Sequence, residues 1–306
     1  MKKQLGSRWA NAVIVAAMLA ALAAVTFALP ACGDKKSGGD TGAGDTEATA
    51  TTGGGDSGGA SGSKRVVFIH HSTGENWLAD DNGGLGKALG DAGFFVSDTN
   101  YGWGPGTIGD RTDIGNWWEW FRGPDSEQIM AAVYSEGGQN CAYTRAGSDP
   151  GGENEIVMFK SCFPNSALQG GPDDAVPAIA DNPLKSQTCD SEAHTVANAK
   201  GIYTDALEYF GQHTDKFFVV ITAPPLSDTT YADNARAFND WLLNDWLGGY
   251  DGGNVAVFDF YGVLTDGGPY FSGDGDDHPS QEGNRKATAA FVPWLEDAYA
   301  QFKGGD

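Results

Sequence analysis

Basic residues are scarce in this chain: 19 Lys and Arg stand against 41 Asp and Glu among 306 residues, a formal net charge of −22. Binding to phosphate backbones needs concentrated positive charge, so nucleic acid is excluded as a partner. The same balance disfavours close contact with anionic lipid, favours solubility and says little about fold. Cysteine is sparse as well. There are four, and no pair has the C-x-x-C spacing of a zinc ribbon. No metal and no cofactor is expected, and no internal repeat is visible. From Gly33 to Lys64 there is no aromatic residue and no Leu, Ile or Val. A stretch of Gly, Ser, Thr, Asp and Ala cannot bury enough apolar surface to offset the entropy of ordering. It is expected to act as a flexible spacer.

The first residues are of another kind. Lys2, Lys3 and Arg8 precede an almost wholly apolar run from Ala10 to Leu29, interrupted mainly by Asn11, and the run ends in "LPAC", Leu29 to Cys32. A basic start, an apolar run and small residues before a cut site are the order of a signal peptide. The box ending in Cys32 resembles the bacterial lipobox. That resemblance implies cleavage after Ala31 and diacylation of Cys32. The rival reading is an uncleaved anchor helix, since the run approaches the roughly 20 residues that span a bilayer. The expected organisation is a signal peptide over 1–31, a lipidated Cys and linker over 32–64, and one folded domain over 65–306. That domain would lie in the cell envelope, outside the cytoplasm, touching membrane only through its anchor. With Cys32 lipidated, one disulfide at most can form among Cys141, Cys162 and Cys189. The expected pair is Cys141 with Cys189, leaving Cys162 buried and free.

Five apolar runs read as strands: 65–70, 93–98, 155–161, 216–223 and 254–260. Several are continuous rather than alternating, which marks strands buried on both faces. Helical spacing over 78–92, 195–213, 231–247 and 281–302 separates or follows them. Strand and helix in alternation predict an α/β domain with a parallel sheet covered on both sides. Two long polar and turn-rich insertions, 100–150 and 163–190, follow strands and should lie on the rim where open sheets bind ligands. The first is rich in Trp. Its Trp117, Trp118, Trp120 and Phe121 are expected to form a satellite core under the loop, with sugar stacking as the alternative.

Three short motifs carry candidate chemistry. The first strand ends in "HHSTGENWL", placing Ser72 where a helix starts. There its hydroxyl could act as a nucleophile beside unpaired N–H groups, or simply cap the helix. His70 and His71 should point to opposite faces, one packed and one able to orient Ser72 or substrate. "FKSCFPNSAL" offers Asn165 as a side-chain donor to an oxyanion, or merely a turn. "SGDGDDHPSQEG" sets His278 behind Asp274, Asp276 and Asp277, the pairing a general base needs, with Ser280 a cap for the last helix. A metal held by His70 or His71 with His278 and an Asp is the less favoured use of these groups. His194 and His213 are expected at the surface. The G-x-S-x-G elbow is absent, because no Gly stands two positions before Ser72.

Ser after the first strand, Asn after a middle strand and Asp-His before the last helix form an order that resembles the SGNH (GDSL-like) hydrolases. The resemblance implies a three-layer α/β/α flavodoxin-like fold with a five-stranded, mainly parallel sheet and Trp/Gly-rich insertions. It implies Ser72 as nucleophile, His278 as base and Asn165 as an oxyanion donor. It also implies a loop glycine, Gly102, Gly104 or Gly106, as a second donor. The motifs depart from the family: His70-His71 replaces Gly-Asp before the serine, the Asn lacks its following Asp, and Gly275 stands where D-x-x-H needs its acid. Asp276, or Asp274, must then orient the base. The implied activity is hydrolysis of a small-molecule or glycan ester. The alternative is a catalytically silent module that binds glycan or a surface partner.

Overall fold

The five apolar runs form one sheet in the computed structural model, which describes residues 64–266, 271–273 and 276–304. The expected signal peptide, Cys32 and nearly all of the expected linker lie outside the described residues. The strands are β1 (Lys64–Ile69), β2 (Phe94–Thr99), β3 (Ile156–Lys160), β4 (Phe217–Ile221) and β5 (Val255–Phe258). Their order is β2-β1-β3-β4-β5, and every pairing is parallel. This is the flavodoxin-like order of a doubly wound sheet. A short antiparallel hairpin, β6 (Phe271–Gly273) with β7 (Asp276–Pro279), stands apart from it.

Side chains alternate across the strands, and both faces are apolar. Val67, Ile69, Val157, Phe159, Phe218 and Val220 belong to one buried cluster. Val66, Phe68, Ile156, Met158, Phe217 and Val219 belong to the other. Hence the continuous runs in the sequence. The chain moves one way from β1 to β2 and the opposite way for every later strand. Because parallel crossovers are right-handed, that reversal puts the first crossover on the face opposite the others. α1 (Ser72–Leu78), α2 (Leu85–Asp91), α7 (Phe260–Thr265) and α8 (Gln281–Gly304) cover the even-numbered face of β1. α3 (Trp117–Phe121), α4 (Ser126–Ser135), α5 (Val196–Gln212) and α6 (Ala232–Asn244) cover the other. Among the described residues no helix is long and apolar enough to cross a membrane.

Two expectations change here. The single helix expected over 78–92 is broken, because Asp80, Asp81 and Asn82 turn the chain and Gly84 takes the left-handed φ of 70° that begins α2. The Trp-rich segment is not a satellite. Trp117 and Phe121 reach Phe159 at ring separations of 4.9 and 5.0 Å and so cover the central strands directly. Trp118 alone of its run lies partly open, against a cleft.

Burial therefore separates neighbours. Trp117→Ala should cost about 3–5 kcal/mol of unfolding free energy, while Trp118→Ala should cost about 1 kcal/mol or less. Urea unfolding of both variants tests this, and equal losses would contradict the assignment of α3 to the core.

Candidate active site

β1 and β3 are neighbours in space whose following segments leave the sheet on opposite sides, and a crevice opens at such a reversal. Ser72 follows β1 and is the first residue of α1; Cys162 and Asn165 follow β3. The hairpin β6–β7 brings the distant end of the chain to the same place. Its Asp276 and His278 are two apart in an extended strand, so they share a face.

His278 Nε2 lies 2.7 Å from Ser72 Oγ, and His278 Nδ1 lies 2.5 Å from Asp276 Oδ1. The backbone N–H of His278 also donates to Asp276 Oδ1, at 3.1 Å. With the Nδ1 proton directed at a carboxylate, Nε2 is left as the acceptor for the serine hydroxyl. The bonds from His278 hold the Asp276 carboxyl below the usual carboxylate range. Phe163 packs edge-on to the His278 ring at 5.0 Å. Asp277 faces elsewhere and accepts from the Ser227 N–H at 2.7 Å. Ser280 accepts from the Gly283 N–H at 3.1 Å and caps α8.

The other expected members of the site are used differently. Asn165 is buried; its Nδ2 donates to Asp113 Oδ1 at 2.6 Å, and its Oδ1 accepts from the Ile114 N–H at 2.9 Å. It ties down the 100–150 insertion rather than aiming at Ser72. Gly102 adopts φ of 72°, and its N–H donates to Asp110 Oδ1 at 2.7 Å, so that amide is not directed at an oxyanion. His71 directs Nε2 at the Gly109 carbonyl, 2.5 Å away, and burial lowers its pKa. It holds the same loop against the serine. His70 is the packed one of the pair, fully buried beside Asp98. The three described cysteines are free, so the Cys141–Cys189 disulfide is not formed. Cys162 is only half-buried, with Sγ 4.0 Å from Ser72 Oγ and 3.3 Å from Thr73 Oγ1. His194, expected at the surface, is buried against the Ala167 carbonyl.

Two residues at this rim escape a reading of the sequence. Tyr101 stacks on His71, the neighbour of Ser72, at 4.1 Å. Partial burial raises its pKa. Lys160 ends β3 fully buried, with Nζ bonded to Thr73 Oγ1, and desolvation lowers its pKa. A lysine inside an all-buried apolar strand was its one visible signal.

Beyond the Tyr101–Arg111 loop lies a cleft of about 660 Å³. Trp118, Arg111, Glu119 and Gln128 are among its walls, and Arg111 pairs with Glu119 at 3.1 Å.

No family model matches the chain, and no curated protein matches it. Among solved structures, a carbohydrate esterase whose active site is described as displaying divergent catalytic and non-catalytic binding functions is similar to it. The TM-score is 0.38 and the identity 13%, over 79% of this chain and 68% of that one. A likeness that distant does not establish an activity.

The buried lysine has a measurable consequence. Unfolded, it keeps its proton up to a pH of about 10.5; folded, it releases the proton at a lower pH. Its burial thus lowers stability fully below the folded value, and the loss disappears as pH rises toward the unfolded one. Lys160→Met is expected to remove that part of the alkaline rise in the urea midpoint. Identical pH profiles for the two proteins would refute it.

Proposed function

We propose that this chain is an exported, lipid-anchored serine esterase of the SGNH type, removing O-acyl groups from a carbohydrate. The observation that carries the reading is the Ser72–His278–Asp276 chain of hydrogen bonds, drawn from segments more than 200 residues apart. A serine in the first turn of one helix and a histidine on a distant hairpin have no structural need to meet in this way. In the reaction, Ser72 Oγ attacks the ester carbonyl while His278 Nε2 takes its proton. Asp276 fixes the Nδ1–H tautomer and stabilises the imidazolium. The oxyanion forms beside the backbone N–H of Ser72 at the start of α1. His278 then protonates the leaving alcohol, and water, deprotonated by the same nitrogen, releases the acid from Ser72. The anchor rests on the Leu29–Cys32 box, and the carbohydrate on the cleft with an open indole, a carboxylate and an amide. Indole faces pack on sugar rings while such polar groups bond hydroxyls.

Ser72→Ala and His278→Ala are expected to lower kcat on an aryl acetate by about 10⁴-fold or more, and Asp276→Asn by about 10²- to 10⁴-fold. Ser72→Ala should also lose labelling by a fluorophosphonate; equal labelling of wild type and variant would end the serine mechanism. Trp118→Ala should raise KM for an O-acetylated oligosaccharide about tenfold, with kcat and aryl acetate hydrolysis unchanged. An unchanged KM would remove the carbohydrate from the reading and leave the esterase.

A further inference from the structure

Near the start of α1, three potential ligands converge from three parts of the chain. His70 follows β1, Asp98 lies near the end of β2, and Cys141 comes from the long insertion. One donor atom from each lies within 4.8 Å of the others, and His70 and Asp98 have no exposed surface.

The hydrogen bonds around them leave an unfilled requirement. His70 Nδ1 is 2.8 Å from the His71 carbonyl, which can only accept, so Nδ1 carries the proton. In a neutral imidazole Nε2 is then a lone pair. It faces Asp98 Oδ2, also a lone pair, at 3.2 Å. Two acceptors at that distance in a buried place require a positive centre between them, a second proton or a metal cation. A proton needs no further donor, yet Cys141 Sγ stands 4.0 Å from the same nitrogen.

The surroundings match a metal site in a second respect. Metal-bound histidines commonly donate their other N–H to a carbonyl, and bound carboxylates are themselves hydrogen-bonded. Here the His71 carbonyl takes the Nδ1 proton. Asp98 Oδ1 accepts from the Tyr143 hydroxyl and the Asn140 N–H, each at 2.9 Å, leaving Oδ2 directed at His70. Tetrahedral zinc would set N and O about 3.3 Å apart and S and N about 3.6 Å apart. The first spacing is met; the thiol sulfur, 4.0 Å from Nε2 and within 4.8 Å of the carboxylate oxygen, must close on both to about 3.6 Å by rotation when the ion loads. An entry path exists, because Cys141 borders an open cleft of about 550 Å³ whose other walls include Asp80 and Asp81.

We infer that His70, Asp98 and Cys141 form a binding site for a borderline-soft divalent cation, zinc by preference, with a water as fourth ligand. The mixed N, O and S donor set selects zinc over calcium or magnesium. Loading exchanges the thiol proton for the ion, and thiolate plus carboxylate balance its charge. The site would fasten the ends of β1 and β2 to the insertion, and it stands whether or not Ser72 is a nucleophile.

The test uses the full chain, stripped with chelator, reloaded with Zn²⁺ and desalted. One ion per chain by elemental analysis is expected. Co²⁺ in its place should give thiolate-to-metal charge-transfer absorption. Cys141→Ser should weaken Zn²⁺ binding by about 100-fold or more, and Tyr143→Phe, which keeps all three ligands, by about tenfold. If Cys141→Ser does not fold, the wild type still decides: Zn²⁺ should slow alkylation of Cys141, with Cys162 and Cys189 as internal controls by peptide mapping. Substoichiometric metal, a cobalt spectrum without the thiolate band, or alkylation of Cys141 indifferent to zinc would each overturn the site.

Discussion

The carbonyl of His71 is the point on which the rim depends. It accepts from the N–H groups of Gly74 and Glu75, at 2.8 and 3.0 Å, and so starts α1. It also takes the Nδ1 proton of His70 at 2.8 Å, so one oxygen joins the buried end of β1 to the first turn of the helix. Glycine is needed one turn on: a Cβ at position 74 would lie 2.3 Å from the Cβ of His70. With that turn fixed, Ser72 is presented at the crevice, and His71 is aimed at the Gly109 carbonyl, where it holds the loop bearing Tyr101. Stiffness of this kind is what a hydrogen-bonded serine and imidazole require, since small misplacements lose reactivity steeply.

Charge is managed in the same economical way. The chain is strongly acidic overall, yet the interior near Ser72 holds a lysine, Lys160, bonded to the Thr73 hydroxyl and the Ser161 carbonyl. Asp98, by contrast, accepts from the Tyr143 hydroxyl and the Asn140 N–H on one oxygen and turns the other to the His70 ring. The two environments lie at the ends of β3 and β2, on either side of β1, the one poor in counter-charge, the other rich.

Much of the fold was legible because burial on two faces leaves a trace in sequence: continuous runs such as "RVVFI" and "FFVVI" fall within a residue or two of β1 and β4. Ser72 and His278 were legible from their places at element boundaries, whereas Asp276 stood level with Asp274 as the acid for the base, because the hairpin that puts it on the imidazole's face left no mark in the sequence. Asn165 and Gly102 were not, because a side-chain amide or a backbone N–H reveals nothing of its partner; Asp113 and Asp110 compete for them locally. Tyr101 and Lys160 were obscured for the opposite reason, each sitting in a segment whose composition already had a sufficient explanation. The meeting of His70, Asp98 and Cys141 depends on parallel register and a long excursion, and no local pattern encodes either.

The 206 positions between Ser72 and His278 also set an order of events in biogenesis. Long-range pairings form late, since the entropy of closing the intervening chain must be overcome first. A polypeptide still emerging from a ribosome has its serine but not its imidazole. Whatever reactivity the assembled pair possesses is withheld until the last helix has docked, so the nascent chain stays inert while it is being made.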